Sequence, residues 1–259
     1  MMRLYLDFFS MHLKSQMQYK LSFFLTTLGQ FLTSFTVFLG VYFMFSRFDE
    51  VEGFTYQQVL ICFAAVLMAF SLAEMLGRGF DVFPRMLGNG EFDRVLVRPR
   101  NTIFLVLAAK MEFSRIGRLA QAIIVLCYAI PTCGIVWTWD KILTLLLMVA
   151  CGSLVFFGLF LVYAAFSFFT IEGLEFMNIF TDGGREFGRY PFAVYGDGIL
   201  KFLTYVIPLA LFQYYPLLYL LDKRTSVFYM IMPVLGLLFL LPSYAFFRIG
   251  LHRYKSTGS

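Results

Sequence analysis

Charge is scarce in this chain, so its chemistry must be sought where charge gathers. One such place is the run Glu172, Glu175, Asn178, Asp182, Arg185, Glu186 and Arg189, whose neighbours stand three or four residues apart except for the adjacent Arg185 and Glu186. On a helix that spacing puts them along one stripe. Four carboxylates and two guanidiniums on a stripe suit an ion or substrate path, because charges at membrane depth face the bundle interior. The carboxylates do not resemble a catalytic pair, and an ion-paired structural stripe accounts for them equally well. The second place is the island Arg78–Arg118, with eight basic residues, Arg78, Arg85, Arg94, Arg98, Arg100, Lys110, Arg115 and Arg118, and the four acids Asp81, Glu91, Asp93 and Glu112.

Other chemistries have no residues to carry them. There is no GxxxxGK[ST] loop, no HExxH and no GxSxG, so no phosphate cradle, zincin site or hydrolase elbow is indicated. Two histidines, His12 and His252, stand alone, and Cys62, Cys127, Cys133 and Cys151 show no CxxC or Cys/His spacing. Neither a metal site nor a disulfide framework is expected, and no catalytic residue is assigned.

The remaining residues must position these charges, and their composition says in what solvent. Of 259 residues 60% are hydrophobic, 20% aromatic and 14% charged, with a mean hydropathy of +0.76. A soluble domain carries about 25% charged residues, and apolar runs of roughly 18–25 residues point to lipid. The expected fold is an all-α integral membrane protein with six transmembrane helices. No cleavable signal peptide is visible.

Residues 1–20 read as an amphipathic helix in the interface. Spans are expected at 21–45, 57–76, 119–136, 142–168, 170–190 and 226–247. The first, with 25 residues, reaches about 37 Å, enough for a hydrocarbon core of about 30 Å. Its Gln30, Thr26, Thr27, Thr33, Ser34 and Thr36 should face other helices. Residues 46–56 make a short acidic loop. Within the island, a charge in lipid costs about 2.5–3.5 kcal/mol, so residues 78–118 must leave the bilayer. Pro84, Gly88-Asn89-Gly90 and Arg98-Pro99-Arg100 predict a compact helix–turn–helix, and Thr102–Arg118 a helix running into the third span. Pro131 predicts a kink or early end there, and Trp137 and Trp139 fit an interfacial belt.

The stripe leaves two alternatives. Residues 170–190 either span, with 191–221 a re-entrant hairpin, or lie flat on the inner leaflet, with 199–221 the fifth span; such flat helices are usually basic and this one is not. Either way the crossings number six. Fourteen of the 21 basic residues fall at the proposed inner face and four in the outer loops, which places both termini in the cytoplasm. Basic residues gathered at the ends of apolar runs orient a membrane protein, so nucleic acid is not a partner. A bundle with an inner folded loop and no engine suggests a subunit driven by another protein.

The segment Gly90-Glu91-Phe92-Asp93-Arg94-Val95-Leu96-Val97-Arg98-Pro99 resembles the cytoplasmic-loop motif of the six-span type-2 ABC export permeases. Arg189-Tyr190-Pro191, Val206-Ile207-Pro208-Leu209-Ala210 and Tyr214-Tyr215-Pro216 are similar to the late segment of one subgroup, often encoded in pairs beside one ATPase. The resemblance implies that the 78–118 loop couples to a cytoplasmic ATP-binding subunit through Arg85, Gly90, Glu91, Asp93, Arg94, Arg98 and Pro99. It implies a re-entrant hairpin with Pro191, Pro208, Tyr214, Tyr215 and Pro216, a second permease subunit as homo- or heterodimer, and export across a bacterial cell membrane. ATP and magnesium would sit in the partner, with no cofactor in this chain. Gly196-Asp197-Gly198 departs from the family pattern of a proline and bulky residues, which would loosen the hairpin. An ion-coupled transporter or channel using the 172–189 stripe, or a membrane enzyme using Glu172, Glu175 or Asp182, are the competing functions.

Overall fold

In the computed structural model, residues 2–170 and 175–255 are described. They form α1 (Met2–Met17), α2 (Lys20–Phe45), a hairpin of β1 (Glu50–Val51) and β2 (Phe54–Thr55), then α3 (Tyr56–Asp81), α4 (Phe83–Gly88), α5 (Phe92–Leu96) and α6 (Thr102–Ala109). There follow α7 (Ile116–Thr132), α8 (Trp139–Phe166), α9 (Glu175–Asn178), α10 (Asp182–Phe187), α11 (Asp197–Tyr205), α12 (Leu209–Leu220), α13 (Val227–Gly236) and α14 (Leu240–Arg253). The chain is an all-α membrane protein. Five helical stretches are long and apolar enough to cross a bilayer, and the bent pair α11–α12 makes a sixth if it is counted as one.

The helix α3 is the axis. Val59 to Leu67 are buried without interruption, which an all-round apolar helix requires. It packs against α7 and α8. Its start is fixed by the Thr55 amide, which donates to Gln58 Oε1 at 3.3 Å. Before it, Glu52 (φ 50°) and Gly53 (φ 72°) make a two-residue turn, and Glu50 pairs with Thr55 across it. The acidic loop is thus a hairpin, of the kind whose central residues both need positive φ. The two ends of the bundle differ: one carries residues 78–115 and is called the charged end here.

Several expected elements take another form. Residues 170–190 are not one spanning helix. Their described part is α9 and α10, of four and six residues, separated at Ile179–Thr181. Ile179, Phe180 and Thr181 in the gap are weak helix formers, and Asp182-Gly183-Gly184 make the first turn of α10 poorly favoured, which keeps both helices short. Residues 102–118 are not continuous either: α6 ends at Lys110, which is extended at φ −147° and ψ 132°. The third long helix stops at Thr132, one residue after Pro131, short of the expected 136. The last one is interrupted by a 3-10 turn at Leu237–Phe239, because Pro242 has no N–H for the Leu238 carbonyl. It continues to Arg253, so Arg248 and His252 are helical. In α2 the hydroxyls of Thr26, Thr27, Thr33 and Thr36 do not need a neighbouring helix: each donates to the carbonyl four residues before, at 2.8–3.0 Å.

The helix α1 is more than an interfacial float. The break after α6 frees backbone groups that a helix would have paired, and buried ones must find partners. His12 Nε2 lies 2.9 Å from Ala108 O. Gln16 Nε2 donates to Met111 O at 2.6 Å while its Oε1 accepts from the Phe113 amide at 3.0 Å.

Candidate functional site

The charged end carries the expected helix–turn–helix. Pro84 sits in the first turn of α4, where its missing N–H costs nothing. Gly90 takes φ +69°, which lets the Glu91 amide donate back to Met86 O at 3.0 Å and closes the turn into α5. Below the turn the hairpin is anchored by aromatic rings. Phe83 and Phe92 are fully buried, edge to face at 4.9 Å, and both contact Phe168 (5.1 and 5.6 Å) at the end of α8. Phe168 in turn meets Phe247 of α14 at 5.3 Å. The Tyr254 hydroxyl donates to Asp93 Oδ1 at 3.0 Å. Burial, and then that bond, hold the Tyr254 phenol above its ordinary range, so it stays a donor.

Above the anchor the hairpin is bare. Arg85, Glu91, Arg94, Arg98 and Pro99 are exposed, Gly90 and Asp93 half-buried, and Val97 is 83% exposed.

Behind the hairpin one carboxylate gathers three arginines. Glu74, 5% exposed, accepts from Arg78 Nη1 at 2.9 Å and Arg118 Nη1 at 2.8 Å and is ion-paired with Arg115 Nη2 at 2.8 Å, which itself donates to Glu112 Oε2 at 3.2 Å. Arg78 also meets Asp81 at 2.6 Å and Glu112 at 3.1 Å. Arg118 donates its other nitrogen to Gln30 Oε1 of α2 at 2.7 Å. The cluster joins α3, the return strand of the charged segment, α7 and α2.

Arg118 also belongs to a second feature. A cleft of about 100 Å³ is lined by Arg118, Arg185, Glu186 and Arg189, with Thr33, Ser34, Val37, Phe63 and Leu67 completing its walls. Arg185 Nη2 lies 2.7 Å from Glu186 Oε1 and Arg185 Nη1 3.4 Å from Asp182, and Arg189 pairs with Glu186. The guanidinium carbons of Arg185 and Arg118 stand 4.8 and 5.6 Å from the centre of the Phe70 ring, an attraction that compensates part of their desolvation. Of the expected stripe, then, Arg185, Glu186 and Arg189 meet in the cleft and Asp182 flanks it. Asn178 is exposed and outside it. Glu172 lies outside the described residues, as does the side chain of Glu175. Among the described residues no group of acids, histidines and cysteines could hold a metal.

A family model described as an ABC-2 family transporter protein matches residues 31–258. The chain belongs to the ABC-2 transporter family. This makes it a multi-pass membrane permease; the family's members are transmembrane subunits, not the ATPase, and generally work with an ATP-binding subunit. No curated protein and no solved structure matches it.

In this permease the 191–221 segment turns back on itself: α11 and α12 meet at 113°. Pro208 caps α12 at the bend, and Thr204 Oγ1 stands 3.2 Å from Tyr215 Oη across it. Pro191 opens the segment, Pro216 lies buried inside α12, and the Tyr214 and Tyr215 rings touch at 5.4 Å. Gly196 takes φ +86° at the start of α11, a conformation a side chain would strain. The segment is clasped by a residue that sequence reasoning passed over. Gln213, fully buried, aims Nε2 at Tyr190 O (2.7 Å), Gly188 O (3.3 Å) and Cys62 Sγ (2.6 Å). The Glu74 cluster was equally unassigned; the available signal was an acid inside an apolar run, which at membrane depth marks function.

Proposed function

We propose that this permease is the membrane half of an ATP-driven exporter in the cell membrane, with both termini and residues 78–118 in the cytoplasm. A separate ATPase subunit grips the tip formed by Arg85, Gly90, Glu91, Asp93, Arg94, Arg98 and Pro99, and ATP and magnesium are held there, not in this chain. Two permease subunits, alike or different, complete the transporter. ATP binding closes the partner pair, the tip moves with it, and the bundle shifts between inward- and outward-facing states.

The observation that carries this reading is the double attachment of the tip. Its base is packed on Phe168, Phe247 and Tyr254, and the chain returning from it enters the Glu74 cluster whose Arg118 lines the cleft. A displacement of the tip has a packed route to the cleft, as coupling needs. Asp182, Arg185, Glu186 and Arg189, with Asn178, Glu172 and Glu175 of the same stripe, mark the translocation path. The bent α11–α12 pair is the re-entrant hairpin on the outer side, so the crossings number six when the broken α9–α10 stretch, whose end at Gly188 lies against Val66 and Cys62 of α3, is counted as the fifth.

The test is reconstitution with the ATP-binding subunit that partners this permease. Wild type should co-purify with it and transport only when ATP is present. Glu91→Lys with Arg94→Glu should leave the permease folded and abolish stimulation of the ATPase. Full stimulation by the reversed protein refutes the docking assignment. Transport in liposomes without any ATPase, driven by an ion gradient, would replace this reading by ion-coupled transport.

A further inference from the structure

We infer that the cleft between α2, α3, α7 and α10 binds the head of an anionic amphiphile: a carboxylate, sulfate or phosphate group on an apolar chain. The inference rests on the reading of that cleft as part of the transport path and adds the class of substrate.

The first argument is the order of charges by depth. Three guanidiniums, those of Arg118, Arg185 and Arg189, face one carboxylate, Glu186, in the cleft wall. The guanidiniums lie deeper than Glu186 and Asp182, with Glu74 behind Arg118. Their side chains are 9, 19 and 24% exposed, against 39% for Glu186 and 56% for Asp182. A cation entering from outside meets Asp182 and Glu186 first and then a wall of like charge. An anion that displaces Glu186 finds N–H donors arranged as forks, the geometry that matches carboxylate, sulfate and phosphate oxygens.

The site is also built, not merely charged. Arg118 is held from behind by Glu74 Oε2 at 2.8 Å and from the side by Gln30 Oε1 at 2.7 Å. The Phe70 ring backs both Arg118 and Arg185. Guanidiniums fixed in this way lose little freedom when a ligand arrives.

Size and the remaining walls decide what the anion is attached to. About 100 Å³ holds a head group but not a drug-sized molecule, which needs about 300–1,000 Å³. The other walls are Val37, Phe63 and Leu67. The helix α2, which supplies Val37, leaves Leu28, Leu32 and Phe35 exposed. The rest of the ligand therefore lies along apolar surface, and an apolar chain is the body that gains from this.

The experiment uses the full-length permease alone, in phosphatidylcholine nanodiscs, with three radiolabelled probes that share one chain: laurate, dodecanol and dodecyltrimethylammonium. Laurate should bind about tenfold or more tightly than dodecanol, with the cation weakest, since a hydrogen bond to a charged group far exceeds a neutral one. Arg189→Gln should weaken laurate about tenfold. Glu186→Gln, which removes the competing carboxylate, should strengthen laurate binding severalfold, a gain that no loss of folding produces. Equal binding of the three probes, tighter binding of the cation, or a Glu186→Gln variant with unchanged or weaker laurate binding each overturns the inference. Phosphatidylglycerol added to the nanodisc separates the sources: competition with laurate assigns the head group to a membrane lipid, and persistence of the laurate signal assigns it to a free amphiphile. No ATPase is present, so failure here leaves the docking reading untouched, and failure of docking leaves this binding untouched.

Discussion

Replacing Gly79 by alanine tests how the charged segment is fastened to the bundle. Gly79 lies near the end of α3, where the backbone of α6 crosses it. A Cβ there would stand 1.9 Å from the Val106 carbonyl oxygen and 2.8 Å from that of Leu107, whereas ordinary contact begins near 3.4 Å. The obstacle is backbone, so no side chain can swing away, and α6 must retreat by about 1.5 Å. Forcing an extra methyl into packed structure costs about 1–3 kcal/mol. The same change at Gly29 of α2 meets nothing within 4 Å. Both glycines are helical, so alanine brings each about 1 kcal/mol of helix preference, and this part cancels between the two variants. Their difference in stability, about 1–3 kcal/mol, isolates the clash. Thermal melting of the purified permease should place Gly79→Ala below Gly29→Ala, with Gly29→Ala at or above wild type. Gly79→Ala should also blunt stimulation of the ATPase, because α6 returns the chain from the docking tip. Equal melting of the two variants would show that α6 does not pass over α3 as described.

Other perturbations separate the remaining parts. Glu74→Gln leaves the buried Arg118 side chain without its countercharge and Arg115 with Glu112 alone; breaking a buried pair costs about 3–5 kcal/mol, so melting should fall far more than for Glu91→Gln at the exposed tip, and equal effects would refute the cluster. Gln213→Leu strips the donor from Tyr190 O and Gly188 O at about 1–3 kcal/mol. It should also make buried Cys62 reactive toward maleimide, and a Cys62 that stays protected in the destabilised variant would contradict the clasp. Gln16→Ala unties Met111 O and the Phe113 amide; hydrogen exchange should rise at residues 108–114 and not in α8, and unchanged exchange at the break would deny α1 its bracing part.

What the sequence made legible follows from how local the cause was. Pro84 and Gly88-Asn89-Gly90 act within their own turn, and α4–turn–α5 appeared where they put it. Long apolar runs with no strong breaker became α3 and α8. The 170–190 stripe misled because its spacing is helical while the chain breaks at Ile179–Thr181 and resumes on the weak start Asp182-Gly183-Gly184. There the weak local preference outweighed the period, and among the described residues of the stripe Arg185, Glu186 and Arg189 line the cleft. The partnerships that were missed are all distant in sequence. Glu74 meets Arg118 across 44 residues, His12 meets Ala108 across 96 and Gln213 meets Cys62 across 151. The break after Ala109 has no proline or glycine to announce it. It is stabilised by His12 and Gln16, which arrive from the other end of the chain.

The account depends most on the side of the membrane that residues 78–118 occupy. Asn89 is exposed at the turn of the hairpin, so Asn89→Cys, with the four native cysteines replaced, gives a single accessible thiol. Intact cells are treated with a membrane-impermeant maleimide, before and after permeabilisation. The account predicts no labelling until the membrane is opened and full labelling afterwards. Labelling in intact cells would contradict it, because a cytoplasmic ATPase could then never reach the tip.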